Sequence, residues 1–286
     1  MKVAVVGGHG VLGRGLGPHF RGIGCECVFA PPRAELDFAR SPEGVRDWLS
    51  RTSPNVIISL LGATRAGDEG DLFAANILPT YTLLRVVRSA RLSLRIVVTS
   101  SAAVYGEVDA MVPIGEETPR RPVSAYGNAK ALQEDLCALY RIGFAQEIVL
   151  ARIFNTVGNP FDQTSVLPAL LSRVRALRPD ESLLLRDAGA VRDFVHVEDV
   201  AKGLIGLCER ASVPPVVNVS TGVGTSVREL AQRIAAALGK NILIDEIPGE
   251  HSVTWSVGDP ARFGVTLGWT PSERIDEAIE RVNLPT

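Results

Sequence analysis

Cysteine, lysine, aromatic side chains and net charge are all scarce in this chain of 286 residues. Only four cysteines occur, Cys25, Cys27, Cys137 and Cys208. That excludes a disulfide scaffold and reads as reduced core thiols in a cytoplasmic protein. Thirty Lys and Arg against thirty-two Asp and Glu leave a net charge of -2. With no surplus of positive charge to neutralise a run of phosphates, a dedicated nucleic-acid binder is excluded. No apolar run reaches the roughly 18 residues that cross a bilayer, so no membrane partner is expected. The opening Lys2-Val3-Ala4-Val5-Val6-Gly7 reads as a strand rather than a signal peptide. The four histidines, His9, His19, His196 and His251, show neither an HExxH helix nor zinc-finger spacing with cysteine. No metal is expected.

Hydrophobic residues make up 46% of the chain and charged ones 22%, ordinary globular material whose length allows about two domains. Short apolar runs rich in β-branched residues recur at 3–6, 25–29, 56–60, 95–99, 147–151 and 216–219. They alternate with helical spacing, as from Val45 to Thr52 and from Leu78 to Ala90. Strand and helix in alternation predict an α/β chain on a doubly wound parallel sheet with right-handed crossovers. After about Asn155 the pattern loosens into Gly158-Asn159-Pro160-Phe161, a helix from Val166 to Arg178 stopped by Pro179, and a short strand at 183–185. Ser226 and Glu229 then form a capping box for a helix reaching Leu238. The expected division is a sheet domain of residues 1–155 plus about 190–221, and a smaller, discontinuous domain of about 156–189 plus 222–286.

The first strand runs directly into Gly7-Gly8-His9-Gly10-Val11-Leu12-Gly13. Glycines at 7, 10 and 13 let a backbone turn sharply, approach a pyrophosphate closely and pack the next helix on the strand. With Val11 and Leu12 they make the candidate dinucleotide cradle. Gly15, Gly17 and Pro18 weaken the helix that follows, so tertiary packing must hold it. An NAD site usually closes strand two with an acid on the ribose 2'-hydroxyl, whereas an arginine accommodates a 2'-phosphate. Here Phe29-Ala30-Pro31-Pro32-Arg33 contains no acid. Arg33 therefore favours NADPH, with NAD still open; the plain alternative is a solvated loop arginine.

Tyr126-Gly127-Asn128-Ala129-Lys130 opens a helical segment, and spacing of four puts Tyr126 and Lys130 on one face. Bringing a phenol from about 10 to neutrality needs about 4 kcal/mol of preference for the phenolate. One ammonium at about 4 Å in an effective dielectric of 20 supplies about that much. The chain has only four lysines, which makes Lys130 at this spot harder to dismiss as background. Ser101, 25 residues before Tyr126 and at the end of the fourth strand, can hold a carbonyl oxygen while Tyr126 delivers the proton.

Together these residues resemble the extended short-chain dehydrogenase/reductase family, in its nucleotide-sugar branch of epimerases, dehydratases and reductases. The resemblance runs over nearly the whole chain and implies a Rossmann-type sheet with a substrate domain. It implies that Asp37 and Phe38 touch the adenine ring, that Leu61, Gly62 and Ala63 lie beside the cofactor phosphates, and that Asn76 belongs to the cofactor site. Asn155, in Arg152-Ile153-Phe154-Asn155-Thr156-Val157-Gly158, and Arg192, in Val191-Arg192-Asp193-Phe194-Val195-His196, match the family's contacts to a sugar-nucleotide diphosphate. Leu267-Gly268-Trp269-Thr270-Pro271 matches its closing motif. A homodimer through helices around 69–91 and 124–143 is also implied.

The departures from the family pattern narrow the reaction. A dehydratase carries an Asp-Glu pair after the serine or threonine, and this chain has Ala102-Ala103. The 4-epimerases usually carry an acid after strand two and a further arginine where this chain has Pro248-Gly249-Glu250-His251. Pro32-Arg33-Ala34-Glu35-Leu36-Asp37 instead resembles the R-x-E-L-D string of NADPH-using keto-sugar reductases. The expectation is an NADPH-dependent reductase of a nucleoside-diphosphate-linked keto-sugar, a 4-keto-6-deoxyhexose in particular. A nucleotide-sugar 4-epimerase with tightly held NAD is the alternative. An inactive dinucleotide-sensing regulator on the same fold would have no need of Ser101, Tyr126 and Lys130 together.

Overall fold

The computed structural model describes all residues except 23, 109–110, 160–161, 164, 179–180, 248–253 and 284–286. Pro160, Phe161, Pro179 and the 248–251 segment therefore lie outside the described residues. The first half of the chain is β1 (Lys2–Val6), α1 (Val11–Gly22), β2 (Glu26–Phe29), α2 (Pro42–Thr52), β3 (Val56–Ser59), α3 (Glu69–Ser89), β4 (Arg95–Ser101), α4 (Ala125–Phe144) and β5 (Ile148–Ile153). After these come β6 (Asn155–Val157), α5 (Val166–Ala176), β7 (Ser182–Arg186), β8 (Val191–His196), α6 (Val197–Glu209) and β9 (Val216–Val219). The chain closes with β10 (Gly224–Ser226), α7 (Val227–Ala237), β11 (Leu243–Ile247), β12 (Trp255–Ser256), α8 (Ala261–Leu267) and α9 (Ile275–Asn283).

Six strands form the main sheet in the order β2-β1-β3-β4-β5-β9, with every pairing parallel. All four residues of β3 and all six of β5 are buried, as a parallel sheet covered on both faces requires. The path leaves β1 for β2 on one side and returns to β3 on the other. The carboxyl ends of β1 and β3 therefore part at a topological switch point, where open α/β sheets bind ligands.

The weak helix after the glycine turn does form, and its packing explains why. A side chain at Gly15 would meet the Asn159 amide at 2.5 Å, so the small residue admits the loop that follows β6, whose Asn159 Nδ2 donates to Val11 O. Close approach offsets the poor intrinsic propensity. Ser226 caps α7 by accepting from Glu229 N, as expected.

A second sheet is built from short strands in the order β10-β8-β12, with β6 on β8. Residues from 191 thus enter this second sheet first, and α6 and β9 then return the chain to the main one. The parallel pair β7 and β11 stands separately. A third apolar cluster, from Val157 and α5 through Phe194 to α7 and α9, fills this half. Asp193 fastens it: its buried carboxylate accepts from Thr221 N and Oγ1, Gly222 N and Gly258 N. Asp193→Ala would strand these donors, and we expect a loss of about 3 kcal/mol or more of unfolding free energy in urea titration.

Candidate active site

The Gly7 turn and the turn after β3 meet at the switch point. Gly7 adopts φ +79°, and a side chain there would lie 2.8 Å from Leu60 C and O, so only glycine fits both the backbone and the contact. Gly10 N donates to Gly7 O, and Arg14 N donates to Gly10 O, which starts α1. The amides of Val11, Leu12 and Gly13 thus open a helix whose first N–H groups have no helical partner, and Val11 is exposed. Such an end attracts anions. Gly62, at φ +136°, sits over the Lys130 ammonium, where a Cβ would be 3.0 Å from Lys130 Nζ and 2.4 Å from Asn76 Oδ1.

The candidate proton-transfer residues converge beside these turns. Ser124 caps α4 by accepting from Gly127 N, which places Tyr126 in the first turn and Lys130 one turn later. Ser101 and Tyr126 share a hydrogen bond between hydroxyls. Ser101 Oγ also accepts from Ala103 N, capping the single 3-10 turn that leaves β4. Lys130 is buried; its Nζ donates to Thr99 O at 3.1 Å and to Gln133 Oε1 at 2.9 Å. Burial pushes the Tyr126 phenol above its usual value, and the Ser101 hydrogen bond pulls it the other way. The expected lowering by Lys130 plays no part in that balance. Its ammonium is turned into the carbonyl and amide behind the site, and burial lowers its own pKa to about 8.

Gln133 carries this arrangement to the turn after β3. Its Nε2 donates to Thr80 Oγ1 at 2.7 Å, to Asn76 O at 3.3 Å and to Leu61 O at 3.4 Å. Asn76 Nδ2 in turn holds Ala63 O at 2.9 Å and Leu72 O at 2.8 Å. Asn76 Oδ1 is buried and has no hydrogen-bond partner. Gly7, Leu61, Gly62, Ala63, Asn76, Ser101, Tyr126 and Lys130 are thereby brought to one end of the sheet.

The remaining expected residues are placed differently. Arg33 is exposed and pairs its Nε with Asp37 Oδ2 at 3.2 Å. Asp37 Oδ1 accepts from Ala39 N. The Phe38 ring is buried edge-on against Trp48 in the core behind β1 and β3, rather than on the open side. Asn155 and Arg192 stand on the second sheet. Asn155 lies opposite Phe194 in register and donates to Asp193 O; Arg192, the residue before Asp193 on β8, is half-buried. Burial draws the Arg192 guanidinium below its usual value, with Asp187 opposing.

These residues fit a nicotinamide dinucleotide. A glycine turn with free helix-terminal amides suits the pyrophosphate, and an exposed glycine over a buried ammonium and an orphaned amide oxygen leaves room for a ribose. The sequence profile of the NAD dependent epimerase/dehydratase family matches residues 3–220. The chain belongs to that family. Within it, the chain is 28% identical over 304 residues to the dTDP-6-deoxy-L-talose 4-dehydrogenase (NAD(P)(+)) of Kitasatospora kifunensis, covering 98% of this chain and 94% of that one. It is 27% identical over 240 residues to the GDP-6-deoxy-D-mannose reductase of Pseudomonas aeruginosa, covering 80% and 79%. The crystal structure of the Thermus thermophilus UDP-glucose 4-epimerase with NAD superposes with a TM-score of 0.84 at 25% identity, over 99% of both chains.

Reading by sequence missed Gln133, Glu134 and the role of Arg152. A signal for each was present: Gln133 and Glu134 follow Lys130 at helical spacing, and Arg152 is the one charged residue in the apolar strand β5. Gly62→Ala should press on both Asn76 and Lys130 and strain the backbone at its positive φ. We expect at least tenfold weaker dinucleotide binding by calorimetry together with a lowered melting temperature.

Proposed function

We propose that the protein is an NADPH-dependent reductase of a nucleoside-diphosphate-linked keto-sugar, most specifically a 4-keto-6-deoxyhexose. The observation that carries this reading is the hydrogen bond joining Ser101 to Tyr126, beside Lys130 under the exposed Gly62. A bound nicotinamide supplies the hydride. Ser101 offers its hydroxyl to the substrate oxygen and fixes the carbonyl against the Tyr126 hydroxyl. Tyr126 gives its proton to that oxygen as the carbonyl is reduced to an alcohol. The phenol stays protonated because burial holds its pKa up, which is the form an acid needs. Lys130 has three N–H donors and uses two on Thr99 O and Gln133 Oε1, so the third can serve the cofactor ribose. Arg192 and Asn155 supply a charged fork and an amide for the diphosphate.

The 4-dehydrogenase and reductase relatives support the substrate class, because oxidation of a 4-hydroxyl run in reverse is reduction of a 4-ketone. Ala102 and Ala103 provide no acid-base pair for removing water. Arg33, exposed at the end of the Pro32 turn, supports NADPH over NAD. Free thiols at all four cysteines agree with a cytoplasmic location. A homodimer would cover the apolar side chains exposed on α3 and α4: Leu78 and Tyr81 on the first, Leu132, Leu139 and Ile142 on the second.

Mixing the protein with NADPH and a panel of nucleotide-linked 4-keto-6-deoxyhexoses should consume one NADPH per sugar, read at 340 nm. Tyr126→Phe should lower kcat by about 10² to 10⁴. Interconversion of UDP-linked sugars with no net consumption, and NAD released only on denaturation, would instead establish an epimerase. Sedimentation should give a dimer that Leu139→Asp with Ile142→Asp converts to monomer.

A further inference from the structure

Behind Ser101, Tyr126 and Lys130 lies a cluster of buried charge that the reaction itself does not consume. Glu134, one turn beyond Lys130 on α4, is 3% exposed. It accepts from Ser100 Oγ at 2.6 Å, from Arg152 Nε at 2.9 Å and Nη2 at 2.7 Å, and from Arg120 Nη1 at 3.3 Å. Arg152, rising from β5, is itself buried and donates through Nη1 to Tyr105 Oη at 3.0 Å and Glu116 O at 3.2 Å. Tyr105 passes the chain on to Asn218 Oδ1 at 2.7 Å.

Removing two charges from water costs several kcal/mol per ion, and apolar residues of the same volume often serve stability as well. What the pair does instead is visible in what it joins. Two side-chain links run from α4 to the end of β4: Lys130 Nζ to Thr99 O, and Ser100 Oγ to Glu134 Oε1. Thr99 and Ser100 immediately precede Ser101. The two links therefore set the height of the helix against the strand, and with it the reach from Tyr126 to Ser101.

We propose that Glu134, locked by Arg152, is the positioning residue of this site: it seats α4 on the end of β4 through Ser100 and keeps a negative charge one helical turn from the Lys130 ammonium. The proposal rests on reading Ser101, Tyr126 and Lys130 as the reacting group. Among the described residues, the titratable groups around Lys130 on α4 are Tyr126, Glu134 and Cys137; Arg152 comes from β5 and Arg120 from the loop before α4, both answering Glu134. The uncharged Thr99 O and Gln133 Oε1 accept from its Nζ, and Asn76 Oδ1 lies across Gly62 from it. Burial draws Lys130 down to about 8, with Cys137 and Glu134 opposing. Burial also holds the Cys137 thiol up at about 12, so it is neutral where Lys130 titrates; Glu134, ion-paired with Arg152 at 2.7 Å, is the carboxylate beside it. The ammonium is lost as pH rises past about 8, and without Glu134 that loss moves to lower pH.

Because the chain has only four lysines, protein labelled with [ε-¹³C]lysine gives four signals, and Lys130→Met identifies the one of interest. That titration needs no substrate. In Glu134→Gln, which leaves Arg152 and Arg120 unanswered, the Lys130 midpoint should fall by about one pH unit; in Glu134→Leu with Arg152→Met, where both buried charges go together, it should fall by less. The signals of Lys2, Lys202 and Lys240 should stay in place. With NADPH and keto-sugar, the alkaline limb of kcat should move by the same amount. At pH 6, where every variant keeps the ammonium, a remaining tenfold or greater loss of kcat reads the displaced helix. An unchanged midpoint in Glu134→Gln with unchanged kcat in the double variant overturns the proposal. So does a double variant that cannot fold, since the pair would then be structural only. If Tyr126→Phe and Lys130→Met both retain full turnover, the reading of the reacting group fails instead, whatever the Lys130 midpoint does.

Discussion

Glu134 is buried where water cannot solvate it, and the geometry of the candidate site follows from how that charge is answered. A carboxylate in such a place needs a partner of opposite charge and donors for its remaining lone pairs. Arg152 supplies the first and Ser100 is among the second. Those two residues come from neighbouring strands of one parallel sheet, paired as Ser100 opposite Arg152. One side chain of the helix thus reads the register of two strands at once. Tyr126 and Lys130 lie on the same helix, so their positions inherit that register. The energetic weakness of a buried ion pair and its geometric strictness are two sides of one property, since a charge that must be fully answered tolerates few arrangements.

A different constraint shapes the cofactor end. Gly7 and Gly62 take backbone conformations that side chains resist, and each lets another part of the chain come within contact. Gly7 brings the first turn onto Leu60, while Gly62 lies over Lys130 and Asn76. The result is a wall with little side-chain bulk facing outward and strong polar groups just beneath it. Asn159 closes the same region from the far side by reaching Val11 O. The second sheet, fastened by the buried Asp193, is thereby coupled to the start of α1.

The proteins this chain is similar to include a dehydrogenase, a reductase and a 4-epimerase of nucleotide sugars. What separates such reactions is the direction and fate of the hydride rather than the identity of the acid. In this chain the distinguishing features are peripheral: two alanines after Ser101, and an exposed Arg33 where an acid would suit a free ribose. Arg33 also pairs with Asp37, so a phosphate arriving there would have to compete with that carboxylate.

Much of the main sheet was legible because its inner strands are short apolar runs whose burial on both faces leaves little choice of side-chain type. The glycine turn and the Tyr126–Lys130 spacing were legible for a similar reason: each is a local requirement that a few neighbouring residues satisfy. Where the Phe38 ring would pack was not legible, because an aromatic residue after a turn looks the same in sequence whether it faces solvent or Trp48. The small second sheet was largely silent, since β6 has three residues and β12 two, too few for any periodicity. By itself the sequence determined the layered α/β plan and put the candidate pair Tyr126 and Lys130 on one helix face, because these depend on contacts within a turn or two. Only the tertiary structure decided where Lys130 directs its charge, that Arg33 and Asp37 pair, and that Glu134 joins α4 to two strands. Those outcomes depend on the desolvation of groups far apart in the chain, and burial is not a local property.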